Sequence, residues 1–200
     1  IELAQSAKET GIELFVLDDG WFGKRNSDTC SLGDWVENRH KLPSGLAGLA
    51  KKINDLGMAF GLWFEPEMVS EDSDLYRAHP DWAIQISGRS HTYSREQLVL
   101  DLSKEEVCDY LIEAVSAVLQ SAPISYVKWD MNRNITNIPE HQANHEKHEF
   151  YHRYMLGLYR VLEELNRRFP DILFESCSGG GGRNDLGMLY YMPQAWASDN

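Results

Sequence analysis

The stretch YVKWDMNRN, residues 126–134, begins as a β-strand and ends in polar residues. Its first half consists of aromatic and β-branched residues around one lysine, a composition that favours strands. Because successive side chains of a strand point to opposite faces, Lys128, Asp130 and Asn132 would lie on the same side. The stretch therefore predicts a strand that carries a cation, a carboxylate and an amide to one place at its end.

Other segments repeat this pattern of a short apolar run followed by polar residues. Between them lie longer segments whose hydrophobic residues recur at helical spacing, such as residues 45–57 and 149–168. This alternation predicts parallel strands joined by crossover helices, as in a (β/α)8 barrel or an open doubly wound sheet. The predicted strands cover residues 12–17, 58–64, 125–129, 172–175 and 195–198, and further helices are predicted at 1–10, 103–120 and 185–191.

The position of the acidic side chains distinguishes these two folds. They come at the carboxyl ends of successive predicted strands, which is the face on which barrel active sites are built. We therefore predict an α/β fold of the TIM (β/α)8-barrel type. The side chains at these strand ends are Asp18 and Asp19, Glu65 and Glu67, Asp130, Glu175 with Cys177, and Asp199.

Charge and composition exclude several classes of function. The chain has 200 residues and a net charge of −12, from 19 basic and 31 acidic residues. Since no stripe of lysine and arginine offsets this charge, neither nucleic acid nor a membrane is expected as a partner. No apolar run approaches the roughly 18 residues that a membrane helix needs. The 3 cysteines lie far apart, which argues against a disulfide scaffold and favours the cytoplasm.

No motif in the chain predicts a cofactor or a metal. The glycine-rich stretch SCSGGGGRN, residues 176–184, lacks the GK[ST] ending of a phosphate loop and the GxGxxG spacing of a dinucleotide site. It is compatible with a tight turn that needs positive φ and with a loop whose backbone a ligand approaches. The CxxC spacing of many zinc sites is absent, and the histidine-rich segment 141–148 is predicted to be a solvated loop.

Aromatic residues accompany the acidic strand ends. A sugar has an apolar CH face and a ring of hydroxyls, so it suits a site that combines aromatic rings with hydrogen-bonding acids. The pattern therefore favours a small polar ligand such as a sugar. The tryptophans that flank strand ends are Trp21, Trp63, Trp129 and Trp196.

The same segments resemble the catalytic barrel of glycoside hydrolase family 36, the bacterial-type α-galactosidases. The resemblance covers essentially all 200 residues, and it implies that residues 1–200 form part of one catalytic domain with about strands 2 to 6 of the barrel. The resemblance leads us to expect that the N-terminal β-sandwich and the C-terminal β domain of the family lie outside residues 1–200. The matching motifs are FVLDDGWFG (15–23), GLWFEPEMVS (61–70), HPDW (79–82), YVKWDMNR (126–133), FESCSGGGGRNDLGML (174–189) and AWASDN (195–200).

The resemblance implies two catalytic residues. Asp130 matches the nucleophile of the family, and Asp199 matches its general acid/base. A retaining glycosidase needs two such carboxyl groups roughly 5–5.5 Å apart, one to attack the anomeric carbon and one to protonate the leaving oxygen. Lys128, on the same strand face as Asp130, would stabilise the charge that the nucleophile needs.

Seven further positions match the sugar-binding residues of the family. Asp18 and Asp19 would bind the galactose 4- and 6-hydroxyls, and Cys177 would lie beside the 2-hydroxyl. The three other carboxylates at strand ends, Glu65, Glu67 and Glu175, are expected to make supporting hydrogen bonds, without a catalytic role. The implied substrate-binding residues are Asp18, Asp19, Trp63, Arg95, Lys128, Asn132 and Cys177.

The expected activity is that of a retaining α-galactosidase that cleaves oligosaccharides such as melibiose and raffinose, with no cofactor and as a homo-oligomer in the full-length protein. Two alternatives share this chemistry, an α-N-acetylgalactosaminidase and a transglycosylase similar to raffinose synthase. A third alternative is a metal-dependent barrel lyase or isomerase, in which the strand-end carboxylates would supply oxygen ligands.

Overall fold

The computed structural model describes residues 1–86, 88–138 and 149–199, so the histidine-rich segment 141–148 lies outside the described residues. The helices are α1 Glu2–Glu9, α2 Gly45–Asp55, α3 Asp74–Ala78, α4 Glu105–Ser121, α5 Phe150–Arg168 and α6 Leu186–Tyr191. The strands are β1 Leu14–Leu17, β2 Ala59–Phe64, β3 Met68–Val69, β4 Leu98–Val99, β5 Tyr126–Trp129, β6 Leu173–Ser176 and β7 Gln194–Ala195.

Five of these strands form one parallel sheet in the order β1-β2-β5-β6-β7. At least one helix separates each pair of neighbouring strands along the chain: α2, then α3 and α4, then α5, then α6. Each strand of the sheet thus lies beside the strand that precedes it, whereas a doubly wound sheet reverses its order at a switch point. The prediction of a partial (β/α)8 barrel is confirmed. The short strands β3 and β4 pair antiparallel outside the sheet, within the long connection between β2 and α4.

The middle of the sheet lies in the hydrophobic core. Every residue of β2 from Phe60 to Phe64 is buried, as expected for a parallel strand that is covered on both faces. Helices α4 and α5 pack against each other beside it. Their buried apolar side chains include Val107, Leu111, Val115 and Val118 of α4 and Tyr154, Leu158, Val161 and Leu165 of α5.

Within the described ranges, no helix combines the length and the apolar composition needed to span a bilayer.

Gly157 sets how closely α5 approaches the segment that precedes α4. A Cβ atom at this position would collide with the carbonyl oxygen of Leu102 and would lie 3.1 Å from the Cys108 sulfur. Helix propensity alone would make Gly157→Ala stabilising by up to about 1 kcal/mol. We expect the opposite, a loss of about 1–3 kcal/mol in the free energy of unfolding, because a backbone carbonyl cannot move aside cheaply.

Thermal unfolding of the complete protein checks this expectation. His152→Ala is the matched control, because His152 is exposed on the same helix and its replacement changes propensity without a collision. A Gly157→Ala melting temperature at or above that of the unmodified protein would contradict the proposed packing.

Candidate active site

The carboxyl ends of the parallel strands bring together side chains that are far apart in the sequence. In the register of β2 and β5, Phe64 pairs with Trp129, so the residues that follow them, Glu65 and Asp130, leave adjacent strands at the same level. Trp129 in turn pairs with Ser176 of β6, which places Cys177 next along the edge. The sheet register therefore assembles this row of polar side chains.

Asp130 is held by three hydrogen-bond donors. Its Oδ2 atom accepts from the Trp63 indole N–H at 3.1 Å and from the Asn132 side-chain amide at 2.6 Å, and its Oδ1 atom accepts from the Met131 backbone N–H at 3.0 Å. The residue is only 6% exposed. A carboxylate fixed in this way has one orientation relative to a ligand at the strand ends, as a nucleophile requires.

Lys128 forms an ion pair with Asp18, with Nζ 3.5 Å from Oδ2. Burial lowers the pKa of Lys128, but the charges of Asp18 and Asp130 raise it and outweigh this effect, so the amine stays protonated. Its Nζ atom also lies 5.0 Å from the centre of the Trp196 ring. Lys128, on β5, therefore contacts a residue at the end of β1 and a residue at the end of β7, and its ion-pair partner is Asp18.

The two acids of the adjacent pair, Asp18 and Asp19, have different partners. Asp19 forms a two-pronged ion pair with Arg25, with Nε–Oδ1 3.0 Å and Nη2–Oδ2 2.8 Å. Arg25 is 3% exposed and also donates to the carbonyl of Cys30 at 2.8 Å. This buried arginine fixes the loop after β1, and sequence reasoning missed it because no motif or spacing marks its partner.

Asp199 lies beyond the end of β7 and is exposed. Its Oδ1 atom accepts a hydrogen bond of 2.9 Å from the indole N–H of Trp196. Trp196 thus touches Asp199 at one edge while its ring face meets the Lys128 amine. This contact connects the end of β7 with the end of β5, which carries Asp130.

The four tryptophans do not form the aromatic platform that the sequence suggested. Trp21 and Trp129 are 2% and 0% exposed, so both fill the core. Trp63 is 3% exposed, and what it offers Asp130 is its N–H group. Only Trp196 among the four presents a substantial surface, at 43% exposure. The platform interpretation was wrong for Trp21 and Trp129, because large aromatic rings at strand ends pack readily into the core.

Cys177 is buried beside Asp130. Burial raises the pKa of its thiol to about 12, and the Asp130 charge adds to this while Lys128 opposes it, so the group is a neutral thiol. Its backbone N–H donates to the Trp129 carbonyl at 2.8 Å, and its carbonyl accepts from Met131 at 3.1 Å. These bonds fix the start of the glycine-rich loop against the residues on either side of Asp130.

The glycine-rich loop lets its backbone pass close to the backbone of residues 198 and 199. Gly179 and Gly180 have φ of +53° and +86°, in the left-handed region that favours glycine. A Cβ on Gly180 would lie 2.9 Å from the Cα of Ser198 and 3.3 Å from the backbone nitrogen of Asp199. The turn therefore needs positive φ, as one interpretation of the stretch expected, and the segment carrying Asp199 lies against its backbone. The approach of a ligand to this backbone stays a prediction.

Arg95 lies in the long connection between β2 and α4. It is exposed, with φ of +53°. Its positive charge is close enough to lower the pKa of Glu65, against the larger effect of burial. Arg95 therefore stands at the same rim as Asn132, whose backbone N–H donates to Glu65 at 2.7 Å.

Glu65 is a buried carboxyl group one hydrogen bond removed from Asp130. It accepts from the Asn132 backbone through Oε1 and from the Gln97 side-chain amide at 3.0 Å through Oε2. Burial raises its pKa to about 7, and the charge of Asp130 adds to this effect. Glu65 accepts from Asn132, which in turn donates to Asp130, so the supporting hydrogen bonds expected of Glu65 are present. Its lack of a catalytic role stays a prediction.

Glu65→Gln should change how the stability of the protein depends on pH. Because the pKa of Glu65 is raised in the folded state from 4.5 to about 7, ionisation destabilises the fold as pH rises through this window. This loss amounts to up to about 3 kcal/mol, and glutamine removes it. The Gln97 carbonyl oxygen is buried and without a partner among the described residues, and rotation of that amide would let it accept from the new N–H.

Thermal unfolding at pH 5 and pH 8 measures this effect. The melting temperature of Glu65→Gln relative to the unmodified protein should rise between the two pH values, whereas Glu9→Gln, at an exposed position, should show no such trend. An offset that is equal at both pH values would show that Glu65 does not titrate in this range.

Several of the strand-end carboxylates have separate hydrogen-bond or ion-pair partners. Asp18 pairs with Lys128 and Asp19 with Arg25. Glu175 accepts from Gln194 at 2.7 Å. In the described part of the chain, no group of three or more His, Cys, Asp or Glu side chains is placed to hold a metal ion.

Comparison with known proteins adds a family assignment to this geometry. The sequence matches the Melibiase family over residues 1–200. It is 63% identical to alpha-galactosidase AgaA of Geobacillus stearothermophilus, over 100% of this chain and 28% of that protein. It is 51% identical to alpha-galactosidase 1 of Pediococcus pentosaceus, over 99% of this chain and 27% of that protein.

Solved structures give the same result. The crystal structure of the family 36 enzyme AgaA superposes with a TM-score of 0.95 and covers 98% of this chain and 28% of that one. A variant of AgaA in complex with raffinose superposes with a TM-score of 0.96 at 62% identity, over 100% of this chain and 28% of that one. The chain thus spans a little more than a quarter of the length of these relatives.

Proposed function

The chain belongs to the melibiase family, and from this membership we propose that it is part of the catalytic domain of a retaining α-galactosidase. The observation that carries the proposal is the 63% identity to a named α-galactosidase across the whole chain. The structure adds a fixed, buried carboxylate, Asp130, at the end of a central strand of the sheet. The proposed reaction releases galactose from oligosaccharides such as melibiose and raffinose, and raffinose is the ligand in the structure of one relative.

The proposed mechanism is a double displacement with Asp130 as nucleophile and Asp199 as general acid/base. Asp130 attacks the anomeric carbon while Asp199 gives its proton to the leaving oxygen, and a β-linked galactosyl-enzyme results. Asp199 then removes a proton from water, which attacks the same carbon and releases galactose with its α configuration. The burial and three donors of Asp130 suit the attacking group, and the exposure of Asp199 suits proton exchange with the leaving group and water.

The proposed sugar contacts lie around these two acids. Asp18 and Lys128 form one polar edge, and Asp19 is held in place by Arg25. Acceptors placed for the axial 4-hydroxyl of galactose would be left unpaired by glucose, which explains the discrimination that we propose. The remaining proposed contacts come from Trp63, Arg95, Asn132 and Cys177.

The setting of the protein is also a proposal. We propose that residues 1–200 are one part of a single catalytic barrel domain, that the complete protein is a homo-oligomer, and that its partner is the oligosaccharide, without nucleic acid or membrane. A cytoplasmic location is supported by free thiols at Cys30, Cys108 and Cys177.

A covalent trap tests the proposed reaction. The complete protein is incubated with a fluorinated galactoside whose galactosyl-enzyme hydrolyses slowly, and the labelled peptide is mapped by mass spectrometry. The label is expected on Asp130, and the first sugar released from an unmodified galactoside should be α-galactose by NMR. A label on another residue, or a β product, would refute the mechanism.

Rates on alternative substrates separate the related activities. Nitrophenyl α-galactoside should be cleaved much faster than nitrophenyl α-N-acetylgalactosaminide, because the buried Cys177 thiol leaves little room beside the 2-position.

Full activity in excess EDTA is expected, and its loss would favour a metal-dependent reaction. Dominant galactosyl transfer to an added sugar acceptor would instead indicate a transglycosylase.

A further inference from the structure

Glu67 is a fully buried carboxylate whose hydrogen-bonding capacity is filled by three side chains. Its Oε1 atom accepts from Trp129 Nε1 at 2.9 Å and from Arg183 Nη2 at 2.7 Å. Its Oε2 atom accepts from the Tyr154 hydroxyl at 2.7 Å and from Arg183 Nη1 at 2.9 Å. Burial raises the pKa of Glu67, but the charge and hydrogen bonds of Arg183 outweigh this and keep it below its usual range. The residue is therefore an ionised, two-pronged partner of Arg183.

Arg183 anchors the end of the glycine-rich loop, whose start is held by a hydrogen bond of 2.8 Å from the Ser178 hydroxyl to the Met131 carbonyl. The four preceding residues, 179–182, are glycines with no side chains to hold the loop. The Arg183 side chain is 13% exposed, and its Nη1 atom also lies 3.0 Å from the sulfur of Met131. Trp129 and Met131 flank Asp130 on either side, so the pair connects the loop to the strand end that carries the proposed nucleophile.

The loop also supports the segment that carries Asp199. The backbone N–H of Gly181 donates to the carbonyl of Ala197 at 3.1 Å. The missing side chain of Gly180 lets Ser198 and Asp199 pass in direct backbone contact. Any displacement of the loop would therefore displace Asp199, which lies on irregular chain beyond β7.

We propose that the ion pair between Glu67 and Arg183 is a positioning device, which holds the glycine-rich loop so that Asp199 stands at a fixed place relative to Asp130. This inference rests on the proposed function, since it takes Asp199 as the acid/base. Asp130 has three donors of its own and sits at the end of a sheet strand, whereas the Asp199 backbone depends on the loop. Weakening the pair should therefore impair proton transfer by Asp199 more than attack by Asp130.

Arg183→Lys in the complete protein tests the proposal, because lysine keeps the charge but cannot form the two-pronged contact. The readout is kcat/KM for dinitrophenyl α-galactoside, whose leaving group needs no proton, and for melibiose, whose leaving group does. We expect the loss on melibiose to exceed the loss on the activated substrate by about tenfold or more, a part of what general acid catalysis contributes. Glu67→Gln should give the same selective loss from the other side of the pair.

Arg168→Lys is the matched control, since Arg168 forms ion pairs with Glu113 and Glu164 on the surface of the helices. It should leave both rates unchanged. Equal losses on the two substrates in both Arg183→Lys and Glu67→Gln, or no loss in either, would overturn the proposal, because a merely structural role does not distinguish leaving groups. Should the unmodified protein cleave neither galactoside, the proposed function fails instead, so the two failures are distinguishable.

Gly180→Ala, which acts on the loop without touching the buried pair, should reproduce the selective loss and keeps the test decisive where a variant of the pair does not fold.

Discussion

Replacing Asp130 by alanine in the complete protein should reduce kcat/KM for every α-galactoside by on the order of 10⁴-fold or more, as for removal of other covalent nucleophiles. The loss should be independent of the leaving group, because no galactosyl-enzyme can form with good or poor leaving groups alike. The residue is held by Trp63, Asn132 and the Met131 backbone, so the variant loses the one carboxylate that these donors orient. Initial rates on dinitrophenyl α-galactoside and melibiose measure the effect.

Azide gives a second readout for the same variant. In the space left by the removed carboxylate, azide would attack the anomeric carbon of the substrate directly and yield β-galactosyl azide, with inverted configuration. Asp55→Ala is a suitable control, because Asp55 is an exposed aspartate that pairs with Lys51 on the far helix α2. Normal rates in Asp130→Ala, or an α-configured azide product, would show that another residue is the nucleophile.

Asp199→Ala should have the second largest effect, and its size should depend on the leaving group. We expect kcat/KM for melibiose to fall by about 10²–10⁴-fold, because the leaving sugar must then depart without a proton. Formation of the galactosyl-enzyme from dinitrophenyl α-galactoside needs no such proton, so this step should be nearly unaffected. The intermediate should then accumulate, visible as a burst of dinitrophenol, because no base activates water.

The products in azide distinguish this variant from the first. Azide needs no base to attack, so it should accelerate turnover of the activated substrate and yield α-galactosyl azide from the β-linked intermediate. Trp196→Phe, which removes the N–H donor to Asp199 and keeps an aromatic ring, should show a much smaller loss. An equal loss on both substrates, with no response to azide, would exclude Asp199 as the acid/base.

Much of the fold was predictable because the signals are local. The switch between helical and strand periodicity predicted the five parallel strands, and their acidic ends predicted a barrel; both are confirmed by the sheet order. The resemblance to glycoside hydrolase family 36 is likewise confirmed by the family match and the structural superposition. The assignment of Asp130 and Asp199 to catalysis remains a prediction that the experiments above can test.

The partners of the site residues were less predictable. The sequence placed Lys128 and Asp130 on one face, but the ion pair of Lys128 goes to Asp18, which is on another strand. The sequence pattern favoured Trp21, Trp129 and Trp196 equally as rings that could contact a sugar, although only Trp196 of these three is exposed. Such choices depend on which elements pack together, and strand alternation within one segment carries no information about that.

The sequence by itself determined the order of strands and helices and the set of polar residues at the strand ends, because hydrophobic periodicity and residue type act over a few neighbouring positions. Only the tertiary structure decided that Glu67 and Arg183, 116 residues apart, join across the core, and that Glu65 has a pKa of about 7. Both depend on burial and on donors supplied by distant segments, which exist only once the sheet has brought those segments together.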